Sequence, residues 1–399
     1  MAVDLADMDI LAGADPGPAA LAGIAAACLA EPVVELLSVF AEELGPPVFN
    51  MTTGGLWRVG GTVRTGCGGS RATIGTATFS TVVKVIQSPL LWPAIGRVPE
   101  HLRAELAAKF PWETEAQVYA SGLSAVLPAG GRMPEIYRLD AFDAQRTAIW
   151  MEDVPEAPPA AWTEQRFVDA ARFLGRLAGS PDVRDRGPSG GAGRGCEGLR
   201  FYLDGVAATV FIPGILGEDL WSHPAVAAAA DPALIAGLRR LTGRADGLLD
   251  DICRLPALPA HGDASPQNLL IRPGTGSGVA PAPDFTVIDW GFYGLACPGF
   301  DLGQLLAGWV NQGQMHGGEL YGLEPLCLSA YCEGLAEFGA DVSETEVRRG
   351  HAASMAVFTG LAAVATQRLA EPDSEELRSL MAGRLEMARF ILDLLASTD

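Results

Sequence analysis

The chain of 399 residues has room for about two or three domains, or for one two-lobed enzyme with a core in each lobe. With 49% hydrophobic and 19% charged residues it can bury enough apolar surface to offset the entropy of folding, which excludes a wholly disordered chain. Its 28 basic and 48 acidic residues leave a net charge of −20, a surface that repels phosphate backbones and anionic lipid head groups, so neither nucleic acid nor a membrane is an expected partner.

In chain order, residues 1–45 show helix-like spacing at Leu36, Leu37, Val39, Phe40 and Leu44, stopped by Gly45-Pro46-Pro47, and predict a helical N-terminal extension. Residues 56–86 change period to an alternation rich in Val and Thr and predict antiparallel strands joined by a hairpin through residues 66–69. Helix is expected again over 99–121 and strands over 135–139 and 147–151; the Pro-rich stretch 155–159 then marks a lobe boundary near 154. Beyond it, helices are predicted over 162–177, 199–210, 233–253, 321–338, 344–369 and 375–395, the last two opened by the capping acceptors Ser343 and Asp373. A strand pair, 268–272 and 285–290, joined by the turn-rich 273–284, interrupts these helices, and the glycine-rich stretch 187–198 reads as a surface loop.

The seven cysteines contain no C-x-x-C pair and their number is odd, which predicts reduced thiols and a cytoplasmic location. Asp4, Asp7, Asp9 and Asp15, rather than basic residues, precede the first apolar run, so it lacks the pattern of a secretory leader. The Ala-rich run 225–238 is broken by Asp231 and Pro232 and is too short to span a bilayer.

Chemistry concentrates in His261-Gly262-Asp263-Ala264-Ser265-Pro266-Gln267-Asn268 and in Val287-Ile288-Asp289-Trp290-Gly291. An Asp, an Asn five residues on at a strand start, and an Asp ending the partner strand bring three oxygen-bearing side chains to one hairpin end. Mg²⁺ takes such hard ligands and keeps water or phosphate as the others, leaving one carboxylate to act as a base.

These segments resemble the H-G-D-x-x-x-x-N catalytic loop and the I-D-[WF] metal strand of the aminoglycoside phosphotransferase and choline kinase family. The resemblance implies an α+β, two-lobed protein-kinase-like fold, with a small antiparallel-sheet N-lobe over residues 1–153 and a mostly helical C-lobe over 154–399. It implies Asp263 as catalytic base, His261 as support of the loop, and Asn268 and Asp289 as Mg²⁺ ligands. Protein-kinase loops carry Lys two residues after the catalytic Asp; Ser265 stands there, which favours a small-molecule kinase.

For the nucleotide, the resemblance implies Lys84 on the ATP phosphates. Glu115, in the E-A-x-x-Y match Glu115-Ala116-Gln117-Val118-Tyr119, is its partner, with Glu113 the competitor. Thr52, Thr53, Gly54 and Gly55 form a short turn for the phosphates, and Trp150, Met151, Glu152 and Asp153 resemble the hinge that meets adenine. Asp301, in a G-x-D-L element, is a structural residue. The motifs run in order from residue 50 to about 305. Two positions depart from the pattern: Gln267 stands where relatives often carry Gly, and Gly291 where many carry an acid. Both bear on loop shape and substrate, since no catalytic group is lost.

The implied activity is transfer of the terminal phosphoryl group of ATP, with Mg²⁺, to a hydroxyl of a small molecule. An aminoglycoside, nucleoside or macrolide antibiotic would make it a resistance enzyme; a choline-like amino alcohol or a sugar would make it a metabolic kinase. A pseudokinase that binds nucleotide without transfer should lack a catalytic residue, and a two-metal phosphohydrolase needs more ligands than five scattered histidines supply. The acceptor is expected against residues 200–222 and near Trp309, Gln312 and Tyr321.

Overall fold

Alternation of Val and Thr builds the two longest strands, Thr53–Thr65 and Gly75–Gln87, 13 residues each, which hydrogen-bond to one another along their length. They lie in the first of two compact units of the computed structural model: Met1–Ala120 with Met133–Pro155, and Ser121–Arg132 with Glu156–Asp399. The structure describes residues 4–5, 8–11, 13–45, 50–66, 75–188, 195–271 and 285–398.

In the first unit, β1 (Asp4–Leu5), β2 (Glu35–Glu43), β3 (Thr53–Thr65) and β4 (Gly75–Gln87) are followed in chain order by β5 (Gly131–Arg132), which belongs to the second unit, and then by β6 (Ile136–Asp143) and β7 (Arg146–Glu152). The sheet order is β1-β2-β3-β4-β7-β6; β1 runs parallel to β2, and every other pairing is antiparallel. Helix α1 (Pro18–Cys28) buries Leu21, Ile24 and Ala25 in one core with Val59, Val63, Val83 and Trp150 of the sheet. Two more helices, α2 (Glu100–Lys109) and α3 (Thr114–Ala120), follow β4.

The predicted helical extension is corrected here: residues 35–43 are strand β2, and among the described residues of 1–45 only α1 is α-helix. A register shift between Leu36 and Ser38 sets the buried residues Leu36, Val39 and Ala41 three and then two apart, and the first interval imitates a helix. Of the expected hairpin turn at 66–69, residues beyond Gly66 lie outside the described residues.

The second unit is mostly helical, with α4 (Glu164–Gly179) and the helices Pro232–Cys253, Phe300–Asn311, Leu320–Ala336, Glu344–Met355 and Glu375–Ala396. Two small sheets are set among them. β8 (Leu258–Ala260) pairs with β11 (Gly294–Ala296), and β10 (Phe285–Val287) lies between β9 (Leu269–Ile271) and the parallel β5. The segments 273–284 and 189–194, expected as a turn and as part of a surface loop, lie outside the described residues. Helix α4 and the Leu320–Ala336 helix approach so closely at Gly175 that a Cβ there would stand 2.1 Å from the Tyr331 carbonyl oxygen.

Three further expectations are corrected. The helix begun at Glu344, with the expected Ser343–Glu346 capping box, widens into a π-helical turn at Ala356–Gly360 and does not reach 369. The last helix is capped by Ser374, which accepts from the Leu377 amide at 3.1 Å, while Asp373 pairs with Arg378. Cys196 and Cys253, 57 residues apart with Cα atoms 5.6 Å apart, are joined by a disulfide, so the expectation of reduced thiols fails for this pair; spacing along the chain cannot show a contact made by the fold. The disulfide ties down one end of an apolar stretch, Cys196–Leu216, that is long enough to cross a membrane by length and composition. Its helical backbone breaks at Gly205 (φ −90°, ψ −105°), so it is not one uninterrupted rod.

A buried imidazole makes stability depend on pH. His351 is fully buried, and burial lowers it from 6.5 to about 4, so the folded chain keeps it neutral while the unfolded chain takes up a proton below about 6.5. The unfolded state therefore binds more protons between those values, and stability falls as pH drops through that window. Glu324, 3.7 Å away, is pushed up by its own burial and acts in the opposite sense. In denaturant titrations, the stability difference between the wild type and His351→Gln should shift in favour of the variant by about 1 kcal/mol per pH unit below pH 6.5. A pH-independent difference would mean that His351 is not held neutral.

Candidate active site

The loop bearing His261 and Asp263 is held chiefly through its backbone amides. Asp301, in the first turn of the Phe300–Asn311 helix, accepts the His261 amide at 2.8 Å and the Gly262 amide at 2.9 Å, one on each carboxylate oxygen. The His261 ring is fully buried; Nε2–H donates to the Ile288 carbonyl (2.9 Å) and Nδ1 accepts from the Asp263 amide (3.3 Å). Burial lowers its pKa, so a neutral ring with one donor and one acceptor matches both bonds. Burial pushes Asp301 up, and the two amide donors oppose this. Trp290 lies 4.6 Å from the His261 ring, its indole N–H donating to the Val287 carbonyl.

Asp263 follows, half-buried, and Asn268 Nδ2 donates to its carbonyl at 2.8 Å. The Asn268 carbonyl accepts the Ile288 amide (3.0 Å), which joins the loop to the segment carrying Asp289. Asp289 itself adopts a left-handed backbone, φ 59°, just past β10. His261, Asp263, Asn268 and Asp289 are thus brought together in the second unit through Ile288 and Asp301. With its amide nitrogen committed to Asp263, Asn268 has Oδ1 for a cation; paired with the Asp289 carboxylate, this is a hard oxygen set that fits Mg²⁺.

Gly262 has φ +83°, and a Cβ there would stand 2.0 Å from the Phe292 carbonyl oxygen. Gly262→Ala should therefore destabilise the protein by about 3 kcal/mol, from left-handed strain and a backbone clash together. Denaturant unfolding checks this, and a loss under about 1 kcal/mol would mean that the loop relaxes at little cost.

In the first unit, Lys84 Nζ lies 2.7 Å from Glu115 Oε2, with the two residues 9% and 2% exposed, whereas the competitor Glu113 is exposed. Lys84 is on β4 opposite Leu56 of β3, so the start of β3 runs beside it. Thr53, Gly54 and Gly55 already belong to β3, and Thr52 bonds to Asn50 just ahead of it; what was expected as a turn before a strand is largely the strand's irregular first residues. Along β7, Trp150 and Met151 are buried; the Met151 carbonyl accepts from Thr81 Oγ1 (2.7 Å), and the Glu152 amide donates to the Glu135 carbonyl (2.8 Å). Asp153 is held by Arg58 at 2.8 Å and bonds to Ser80, interactions that lower its pKa against the opposing effect of burial. That clamp was not foreseen; an Arg two strands away in the sheet gives no signal without the register.

Of the acceptor residues expected from sequence, Trp309 lines a cavity, but with residues 159–167 and 314–323 rather than with 200–222. Gln312 is absent from that lining, and the Tyr321 hydroxyl bonds to Asp393 at 2.5 Å.

The family model described as the phosphotransferase enzyme family matches residues 80–337, more than half of the chain. The chain belongs to that family. In this phosphotransferase a largely antiparallel sheet bears Lys84 and a helical remainder bears the Asp263 loop. Among solved structures it resembles an aminoglycoside phosphotransferase from Alicyclobacillus acidocaldarius (14% identity, covering 79% of this chain and 86% of that one, TM-score 0.46). It also resembles a choline kinase from Cryptosporidium parvum (13%, 90% and 88%, TM-score 0.45) and an amicoumacin kinase (11%, 88% and 88%, TM-score 0.44). No curated protein sequence matches it.

Proposed function

We propose that this phosphotransferase uses ATP as donor and a hydroxyl of an amine-bearing small molecule, an antibiotic of the aminoglycoside class, as acceptor. The observation that carries the transfer reading is the immobilised Asp263 loop: two amides on Asp301, a neutral His261 ring bonded at both nitrogens, and Asn268 bonded to the Asp263 carbonyl. Such bracing holds the backbone from which the Asp263 carboxylate projects, as positioned proton transfer requires. A cationic acceptor is compatible with the net charge of −20, and phosphorylating such an antibiotic would make this a resistance enzyme.

In this reading Asp263 accepts the proton of the acceptor hydroxyl, whose oxygen forms a bond to the terminal phosphorus of ATP as the bond to ADP breaks. Lys84, oriented by Glu115, holds the non-transferred phosphates, and backbone beyond Glu152 meets the base. Asn268 and Asp289 would hold Mg²⁺, which supplies charge neutralisation on the phosphates when bound. ADP release measured with Mg²⁺ and ATP over a panel of aminoglycosides, nucleoside and macrolide antibiotics, amino alcohols and sugars tests both parts. Turnover with aminoglycosides that is lost in Asp289→Ala supports the reading; turnover with sugars or amino alcohols alone replaces the acceptor, and turnover with none of them overturns the reading.

A further inference from the structure

Arg58 centres a clamp within the first unit. Its Nε and Nη2 donate to the two carboxylate oxygens of Asp153 at 2.8 and 3.3 Å, its Nη1 donates to Glu42 at 2.8 Å, and the Ser80 hydroxyl donates to Asp153 as well. Glu42 is on β2, Arg58 on β3 and Ser80 on β4, and Asp153 is the first residue past β7. Residues paired directly across an antiparallel sheet share a face, as do residues two apart along a strand. Leu56 pairs with Lys84 and Arg58 with Val82, so Arg58 and Ser80 lie on the face that carries Lys84. The opposite face is taken up by the core that Trp57, Val59 and Val83 form with α1. Ser80 is four residues from Lys84 on β4, about 13 Å along the strand, close to the span from triphosphate to base in an extended nucleotide.

We propose that Asp153 is a positioning residue for the base of the bound nucleotide, its carboxylate holding in one place the backbone that leaves β7. This rests on the proposed use of ATP, in which the phosphates lie at Lys84 and the base meets backbone beyond Glu152. The last pairing of β7 with β4 is that of Glu152 with Thr81, and the chain then departs from the sheet through Asp153, Val154 and Pro155. Without the clamp such an exit would be ordered only as the base bound, at a cost in affinity; the forked, charge-assisted contact from Arg58 orders it beforehand. Stability gives the clamp less reason to exist. The Arg58 and Asp153 side chains are 38% and 17% exposed, and ion pairs so placed contribute little to folding.

The test is calorimetric binding of ATP with Mg²⁺ and no acceptor, beside tripolyphosphate measured by its competition with ATP. Tripolyphosphate carries the phosphates and no base, so it reports the Lys84 end alone. Arg58→Met and Asp153→Ala should each weaken ATP about tenfold and the double variant no more than either, while tripolyphosphate changes less than about twofold in all three. The direction is diagnostic. Removing Arg58 deletes a positive charge and removing Asp153 a negative one, so a direct effect of charge on the triphosphate would move the two variants oppositely, whereas loss of the clamp moves both the same way. Ser80→Ala, which deletes a single bond, should weaken ATP about twofold and keeps the test open where a larger change disturbs folding, which circular dichroism checks. ATP bound equally by the folded variants, shifts of opposite sign, or tripolyphosphate weakened as much as ATP overturns the inference. Wild-type protein that does not bind ATP overturns the reading beneath it, and the inference with it.

Discussion

Asp263→Asn should lower kcat by about 10²–10⁴-fold while Mg·ATP still raises the melting temperature as it does in the wild type. The substitution keeps the side-chain shape, and the Asp263 backbone still accepts from Asn268 and donates to His261, so the loop is retained and only the proposed proton acceptor is lost. A base contributes to the transition state rather than to nucleotide binding, so the loss falls on kcat and leaves the KM for ATP near its wild-type value. An undiminished kcat would remove Asp263 from the base role and transfer the question to another carboxylate.

The second large effect is at Lys84. Lys84→Met should cost at least about 10² in kcat/KM, because in the proposed role of Lys84 a charge held on the phosphates is lost. It should also destabilise the first unit by about 3–5 kcal/mol, because Glu115, 2% exposed, loses the cation 2.7 Å away. The two losses are separable. Adding Glu115→Leu removes the buried carboxylate together with its partner, so the double variant should regain most of the stability and none of the activity. Thermal unfolding and steady-state kinetics on the three proteins decide this. Recovery of activity in the double variant would mean that Lys84 acts only as a structural partner of Glu115.

Much of the site was legible because its residues lie in short windows whose order along the chain is itself informative. Asp263 and Asn268 are five residues apart, and Asp289 lies just past the next strand of the same hairpin. The structure adds what holds them, the Asp301 carboxylate on two loop amides, and the clash that confines position 262 to glycine. The fold was legible where period and side were undisturbed, as in the β3–β4 pair and the long C-terminal helices. It was misread where one residue altered the period: the irregularity between Leu36 and Ser38 made a strand look helical, and Ser374 took over the capping expected of Asp373. The Cys196–Cys253 disulfide and the cavity around Trp162 and Trp309 were beyond reach, since each is assembled from segments separated by scores of residues.

Transfer of a phosphoryl group from ATP to a hydroxyl can be observed directly. Phosphorus NMR of a reaction with Mg²⁺, ATP and an aminoglycoside follows donor and product together. A phosphate monoester on the acceptor should appear in step with ADP, with neither formed by Asp263→Asn. ADP accompanied only by inorganic phosphate, at a rate indifferent to the acceptor, would contradict it.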